Sequence, residues 1–320
     1  MPTDVGKRVS VRRVVGTPGQ GAKFTDTVGV LTSWDDEVLS VTTKSGEIVR
    51  IAESSLVAGK VVPPAPARRR GPAASFAELA LATARAWQPV ESEPLGDWRL
   101  RAAGGFTRRA NSALPLGDPG LPVGAALGRV RDWYGERGLP AYVQTATGAE
   151  GTQEKLCADL EEHGWRREVS AEVRIAALAP VGDLDTDISV VRMSREPDAA
   201  WLSRYQRFET PGAHVLKVLG SGPSVWFASV PGDDSAGPPA AIGRCVVDGR
   251  WAGFMAVEVG PEHRRRGLAT AVMTALARTA LDEGASAAWL QVETDNEGAR
   301  ALYDGMGFAT HHRYHHFRSA

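Results

Sequence analysis

The chain has 320 residues, with 37 Lys+Arg against 38 Asp+Glu and a formal net charge of −1 at pH 7. That length accommodates two or three domains with cores of their own, and the near-neutral balance offers no global field toward nucleic acid or anionic membrane. Two cysteines, Cys157 and Cys245, argue against a disulfide framework or a cysteine-built metal centre and fit a reducing compartment.

No run of about 18 apolar residues is present to span a bilayer. The opening stretch Met1-Pro-Thr-Asp-Val-Gly-Lys lacks an apolar signal core, so a cytoplasmic location is expected, with no membrane partner.

Alternating apolar and polar positions in Arg8–Val15, Thr27–Thr32, Val38–Thr43 and Glu47–Ile51, separated by turn signals at Asp35-Asp36 and Ser45-Gly46, predict about five short strands. They form a small β-barrel over residues 1–62, resembling tudor-like or Src-homology-like barrels, an architecture that hosts many roles. Residues 63–73, with Arg68-Arg-Arg70 among prolines, read as an extended linker. Three charges in such a tract favour solvation over nucleic-acid binding.

Ser75 is placed to cap a helix through Trp87. Trp98–Ala102 and Phe106–Ala110 read as a hairpin around Gly104-Gly105, Val123–Arg137 as a helix, Pro140–Gln144 as a strand, Thr152–His163 as a helix and Arg166–Ala176 as a strand. The ββαβαβ order returns in the last third: Ala240–Val247, Gly253–Val259, helix Leu268–Glu283, Ala288–Glu293, helix Glu297–Asp304 and Phe308–Phe317. Ala141-Tyr-Val-Gln144 followed by Leu160-Glu-Glu-His-Gly-Trp165 parallels Ala288-Trp-Leu-Gln291 followed by Tyr303-Asp-Gly-Met-Gly-Phe308. A degenerate internal repeat is the reading, with one half over 74–180 and the other over 187–320. No Arg-x-x-Gly-x-Ala lies between Asn111 and Val123, so the first half lacks a phosphate loop and is expected to serve as a wall.

In the second half, Val257-Glu-Val259 enters the turn Gly260-Pro-Glu-His-Arg264-Arg265-Arg266-Gly267, which opens the helix at Leu268-Ala269-Thr270. A strand, a Gly/Arg turn and a helix start aim several free backbone N–H groups and the positive end of a helix dipole at one point, which suits a pyrophosphate. Gly267 has no Cβ to obstruct a phosphate. The turn, the strand Leu290-Gln-Val292, Asn296, and Leu302-Tyr303 followed by Gly307-Phe308 together resemble the GNAT superfamily of N-acetyltransferases over residues 187–317, most closely over 250–308.

The resemblance implies an α+β fold in which two neighbouring parallel strands splay within a mixed sheet carrying helices on both faces. It implies acetyl-CoA as co-substrate and no metal. The pantetheine arm would pair with the backbone of Val257, Glu258 and Val259, and the N–H groups of Arg265 to Thr270 would hold the pyrophosphate. At least one of Arg264, Arg265 and Arg266 would add a guanidinium near the phosphates. Asn296 suits a helix cap, and its family counterpart also touches the cofactor.

An attacking amine must be neutral, yet with a pKa of about 10.4 only about 0.04% is so at pH 7. The departing thiolate needs a proton in turn, and Tyr303 matches the family's general acid. Protein N-terminal acetylases of the family carry a Glu where this chain has Gln291, and an amide cannot accept the amine's proton. Glu258 and Glu293 are the available carboxylates, with Glu258 ranked first and a water relay left open. His311, His312, His315 and His316 alternate by strand geometry, His311 and His315 to one face and His312 and His316 to the other, an arrangement unsuited to zinc. A polar lining of the acceptor pocket and edge-strand solvation both fit them.

The leading reading is an N-acetyltransferase acting on a small amine by direct attack in a ternary complex. Alternatives are a protein acetyltransferase, at lysine or N-terminal amines, whose barrel recruits a basic tail, and a non-catalytic acyl-CoA-sensing interaction module. The two-copy layout also resembles mycothiol synthase, in architecture rather than in acceptor residues.

Overall fold

Strands β1 (Arg8–Val15), β2 (Lys23–Asp35), β3 (Val38–Thr43), β4 (Ile48–Ala52) and β5 (Leu56–Val61) fold as an antiparallel sheet ordered β4-β3-β2-β1-β5. Alternation drives it: Val9, Val11, Leu31, Leu39, Val41 and Ile51 point inward and form the core of the small barrel. The computed structural model describes residues 2–15, 23–63, 71–205, 212–234 and 237–320. The arginine tract Arg68–Arg70 lies outside the described residues.

Helix α1 (Phe76–Arg85) starts as its sequence requires, with Ser75 Oγ accepting from Glu78 N at 3.2 Å. The hairpin expected around Gly104-Gly105 does not form. Instead β6 (Glu91–Leu95) pairs with β7 (Trp98–Ala102), and Arg108–Ala110 is a 3₁₀ turn. The Asn111 side chain explains this, because its Oδ1 accepts from Ala103 N and Gly105 N and its Nδ2 donates to Thr107 O, a local alternative to a ladder. β8 (Leu114–Pro115), α2 (Val123–Gly135), β9 (Tyr142–Thr147), α3 (Glu154–Glu162) and β10 (Arg166–Ala177) complete the first half.

The short α4 (Leu178–Gly182), β11 (Arg192–Ser194), α5 (Ala199–Arg204), α6 (Ala213–Leu219) and β12 (Ser224–Val230) lead into the second. There β13 (Ala241–Asp248), β14 (Trp251–Val259), α7 (Leu268–Asp282), β15 (Ala287–Glu293), α8 (Glu297–Gly305) and β16 (Ala309–Arg318) follow the expected order.

The large sheet runs β11-β12-β13-β14-β15-β10-β16-β9, so the two halves exchange their last strands. β10, from the first half, fills the slot between β15 and β16 of the second. β16, from the second, fills the slot between β9 and β10 of the first. The registers obey one local twofold: Val173 faces Gln291 as His316 faces Gln144, and Ile175 faces Trp289 as Arg318 faces Tyr142. The first half is therefore more than a wall, since it supplies a strand inside the second half's sheet.

On one face, Phe317 packs with residues of α2 and α3, and Leu290 packs with residues of α7. On the other, α1, α5 and α6 pack against Trp251, Met255 and Trp289.

Candidate active site

β14 and β15 pair in parallel only from Trp251↔Ala287 to Phe254↔Leu290. Beyond that pair the register of β14 on β13 slips between Ile242 and Arg244, and Ala256 takes φ 51°. A positive φ in a non-glycine residue marks a bulge that bends its strand, and the strands part there into a cleft.

Val257 and Val259 pack toward α7, which sends the intervening Glu258 to the opposite face. On β15, Leu290 and Val292 pack toward α7 while Trp289 packs on the other face, which sends Gln291 and Glu293 to the same side as Glu258. The two carboxylates share a face but stand on opposite lips: Glu258 registers with Ile242, and Glu293 with Ala171. Gln291 Oε1 is buried without a hydrogen-bond partner among the described residues. Its counterpart Gln144 Oε1 accepts from Arg101 Nη2 at 3.0 Å, so the second half's cleft retains a polar atom that the first half has satisfied internally.

At the mouth of the cleft, Arg265 (φ 62°) and Gly267 (φ 76°) adopt left-handed conformations. α7 has no side-chain cap, and its first backbone bond runs from Ala271 N to Gly267 O at 3.0 Å. Helix geometry therefore leaves the N–H groups of Leu268, Ala269 and Thr270 without intrahelical acceptors. Arg264, Arg265 and Arg266 are exposed, and no atom lies within 4 Å of where a Cβ on Gly267 would be. The turn is an open, electropositive cradle, and the donor set fits a pyrophosphate.

The turn is braced by residues that periodicity did not single out. His263 is buried, with Nδ1 2.9 Å from Glu262 Oε1 and Nε2 3.2 Å from Asp233 Oδ2, and Arg204 Nη2 donates to Glu262 Oε1 at 3.1 Å. Only the position of His263 inside the turn could have signalled this.

Asn296 caps α8, its Oδ1 accepting from Ala299 N at 3.1 Å. Tyr303, on α8, is 8% exposed and sits edge-on to Phe308, and burial pushes its phenol up to about 12. Arg174, unremarked in the sequence, reaches this helix from β10. Its Nη1 donates to Asp304 Oδ1 at 2.8 Å and to Arg300 O at 3.1 Å, while its Nε donates to Glu172 Oε2 at 2.8 Å. Burial alone would raise the Glu172 carboxyl, but the hydrogen bond and charge of Arg174, with Thr310 and Arg300, hold it below its ordinary value.

The terminal histidines depart from expectation in two ways. β16 lies between β10 and β9, so edge-strand solvation does not apply. A register irregularity where Thr310 gives way to His312 breaks simple alternation and leaves His311 Nδ1 2.8 Å from His312 Nδ1. His315 is buried between Thr147 Oγ1 at 2.9 Å and Ser170 Oγ at 2.8 Å. Among the described residues no group of three or more His, Cys, Asp or Glu side chains is arranged to hold a metal, and no helix is long and apolar enough to cross a membrane.

A cavity of about 610 Å³ lies beside the end of β15, lined by Ser45 and Glu47 of the barrel, Arg167 to Ser170, Glu293 to Asp295, Arg300 and Arg313. The barrel is fastened at its edge, where Arg167 Nη1 donates to Ser45 O and Thr147 Oγ1 donates to Lys44 O, both at 3.2 Å.

Comparison with known proteins agrees with this architecture. The solved GCN5-related N-acetyltransferase from Kribbella flavida superposes with a TM-score of 0.56 at 17% identity, covering 77% of this chain and 96% of that one. A tandem GNAT protein from the clavulanic acid biosynthesis pathway gives 0.55 at 14%, covering 78% and 90%. These likenesses concern the fold. In sequence, the chain is 28% identical over 317 residues to the "Probable histone acetyltransferase Rv0428c" of Mycobacterium tuberculosis, covering 96% of this chain and 93% of the relative. It is 25% identical over 243 residues to the "Uncharacterized N-acetyltransferase YobR" of Bacillus subtilis, covering 73% and 94%.

Residues 3–60 match the family described as Rv0428c N-terminal Sm-like domain, which makes the small barrel Sm-like. Since residues 74–317 match the family described as "Probable histone acetyltransferase Rv0428c C-terminal", the chain belongs to that family and is a GNAT-type N-acetyltransferase.

Proposed function

We propose that the protein transfers the acetyl group of acetyl-CoA to a primary amine by direct attack within a ternary complex. GNAT membership implies use of acetyl-CoA. The observation that carries the reading is the parting of β14 and β15 at the Ala256 bulge, with the uncapped start of α7 at its mouth.

In this reading Val257, Glu258 and Val259 offer their backbone to the pantetheine arm. The N–H groups from Arg265 to Thr270 and the guanidinium of one or more of Arg264, Arg265 and Arg266 hold the phosphates, and Asn296 contributes from the start of α8. The bound thioester supplies the activated acyl carbon. Glu258 takes the amine's proton, directly or through water, because it lies on the face that α7 does not cover; Glu293, on the opposite lip, is the second candidate. Tyr303 keeps its proton at neutral pH and delivers it to the departing sulfur.

A second reading makes the amine a lysine or N-terminal amine of a basic protein. Two observations favour it: the barrel turn at Ser45 and Glu47 helps wall a cavity in which the carboxylates Glu47, Glu168, Glu293 and Asp295 stand among Arg167, Arg300 and Arg313, and a relative similar over nearly the whole chain is named a probable histone acetyltransferase.

Thiol release from acetyl-CoA, measured across a panel of small amines and lysine-rich peptides, tests both readings. Amine-dependent release supports transfer, and the favoured member of the panel separates the two acceptor classes. Saturable acetyl-CoA binding with no release for any acceptor would leave a sensing module instead.

A further inference from the structure

We propose that Arg174, carried by β10 of the first half, is a positioning residue for Tyr303 of the second, so that the half without a phosphate loop holds the acid of the half that has one. The inference rests on the reading of Tyr303 as general acid.

Arg174 is buried, with 4% of its side chain exposed, and both its Nε and its Nη1 are engaged. Nε is fixed by Glu172 Oε2, itself buried and reached by Thr310 Oγ1. Nη1 then meets Arg300 O and Asp304 Oδ1. Both acceptors belong to α8 and bracket Tyr303, one residue from Asp304 and three from Arg300. A planar guanidinium held at one end sets direction as well as distance, which a flexible ammonium does not. The clamp thus fixes the last turn of α8 in roll and in height relative to β10, and with it the Tyr303 hydroxyl.

The internal twofold supplies a comparison within the same molecule. Val173 and His316 occupy equivalent registers, which makes Phe317 the counterpart of Arg174. Trp165 N donates to Leu160 O as Phe308 N donates to Tyr303 O, which makes Leu160 the counterpart of Tyr303. Phe317 and Leu160 are both fully buried in one apolar cluster. The half with a tyrosine on its helix therefore carries the charged clamp, and the half with a leucine there carries simple packing. If Arg174 served only to join strand to helix, an apolar residue would do so without the desolvation that a buried arginine entails.

The test uses the full-length protein and thiol release from acetyl-CoA, with the fastest amine of the panel or with water alone. Asp304 is 63% exposed at its side chain, so Asp304→Ala removes the clamp's anchor while leaving the fold intact. It is expected to lower kcat about tenfold with the acetyl-CoA KM within about twofold, and Asp304→Glu is expected to restore most of the loss. Arg174→Lys, which keeps the charge beside Glu172, should show the same split, with its fold checked by circular dichroism.

The deciding measurement is the double variant: in a Tyr303→Phe background Asp304→Ala should cost nothing further. Equal losses in both backgrounds, or a raised KM with unchanged kcat, would overturn the proposal. If Tyr303→Phe alone leaves kcat unchanged, the acid assignment fails on its own account, a result distinct from failure of the clamp.

Discussion

Ala171 faces Tyr314 across the β10–β16 pair, and the two occupy the same place in their own halves of the chain. The local twofold passes between them. The seam on either side of that axis buries a row of titratable side chains: Glu172 and Arg174 lie on β10, and His312, His315 and His316 on β16. Neither half can close its sheet without the other's last strand, so the stability of the second half depends on what the seam tolerates.

That dependence gives a pH prediction. Burial lowers His312 to about 3, with help from His311 and His315. Burial also lowers His315 to about 3, aided by Arg167 and Arg313. His316 falls well below its ordinary value, through burial first and then Arg109, Arg101, Arg108 and His315. Each folded pKa lies below the unfolded one, so the unfolded chain binds protons first as pH falls. Stability is complete above about 6.5 and declines below it, by about 1.4 kcal/mol per pH unit for each histidine. Glu172 adds its own loss only at lower pH, as pH falls from the ordinary carboxylate range through its depressed folded value. Urea unfolding compared at pH 7 and pH 5 should show the fall, and His315→Asn should flatten it by one proton's slope. A pH-independent midpoint would show that these imidazoles are hydrated.

Tyr303→Phe should reduce kcat by about 10²- to 10⁴-fold, the usual range for a lost general acid. The acetyl-CoA KM should stay nearly constant, because the hydroxyl is needed only as the thiolate forms. With its phenol pushed up to about 12, Tyr303 should contribute no titration between pH 6 and 9 in the wild-type rate profile. Steady-state kinetics across that range check both statements.

Gly267 separates backbone strain from phosphate repulsion. At φ 76° any other residue meets left-handed strain of about 1–2 kcal/mol, yet no atom lies within 4 Å of an added Cβ. Gly267→Ala should therefore lower the thermal midpoint slightly and weaken acetyl-CoA only modestly. Gly267→Glu adds a like charge beside the phosphates and should weaken it by at least a further factor of about ten, read by calorimetry. Equal affinities for the two variants would mean that the diphosphate lies elsewhere.

The fold was largely legible because its signals are local. Strand alternation, Ser75 as a cap, the Arg264–Gly267 turn and the repeated strand–helix–strand order all survive in one dimension. What escaped was set by pairing across the chain. The hairpin at Gly104-Gly105 failed because Asn111 offers its side chain to that backbone, and edge-strand solvation stayed open beside a polar pocket lining for the β16 histidines because strand exchange leaves no mark on periodicity. Arg174 escaped for the same reason: its partners Arg300 and Asp304 are more than a hundred residues away. Of the candidate site, the Arg264–Thr270 turn was legible from its strand–turn–helix setting, while Val257–Val259, Asn296 and Tyr303 were named through the GNAT resemblance that the motifs carry. The relation of Glu258 to Glu293 across the splayed strands could not.

The barrel turn offers the last test, one that addresses the acceptor alone. Gly46 sits at φ 80° in the turn after β3, and a Cβ there would lie 2.7 Å from Arg167 Nη1 and 2.7 Å from His315 Nε2. His315 is held by Thr147 and Ser170 and cannot yield, so Gly46→Val must lift the turn that carries Ser45 and Glu47 away from the cavity. Among the described residues the hydrogen bonds that fasten that turn come from Arg167 and Thr147 rather than from β14 or the start of α7, so acetyl-CoA affinity should be unchanged. If the barrel presents a basic protein tail to the cleft, the KM for a lysine-rich peptide should rise about tenfold while that for a small amine stays constant. Should both acceptors respond equally, the cavity belongs to the common amine site; should neither respond, the barrel takes no part in acceptor choice.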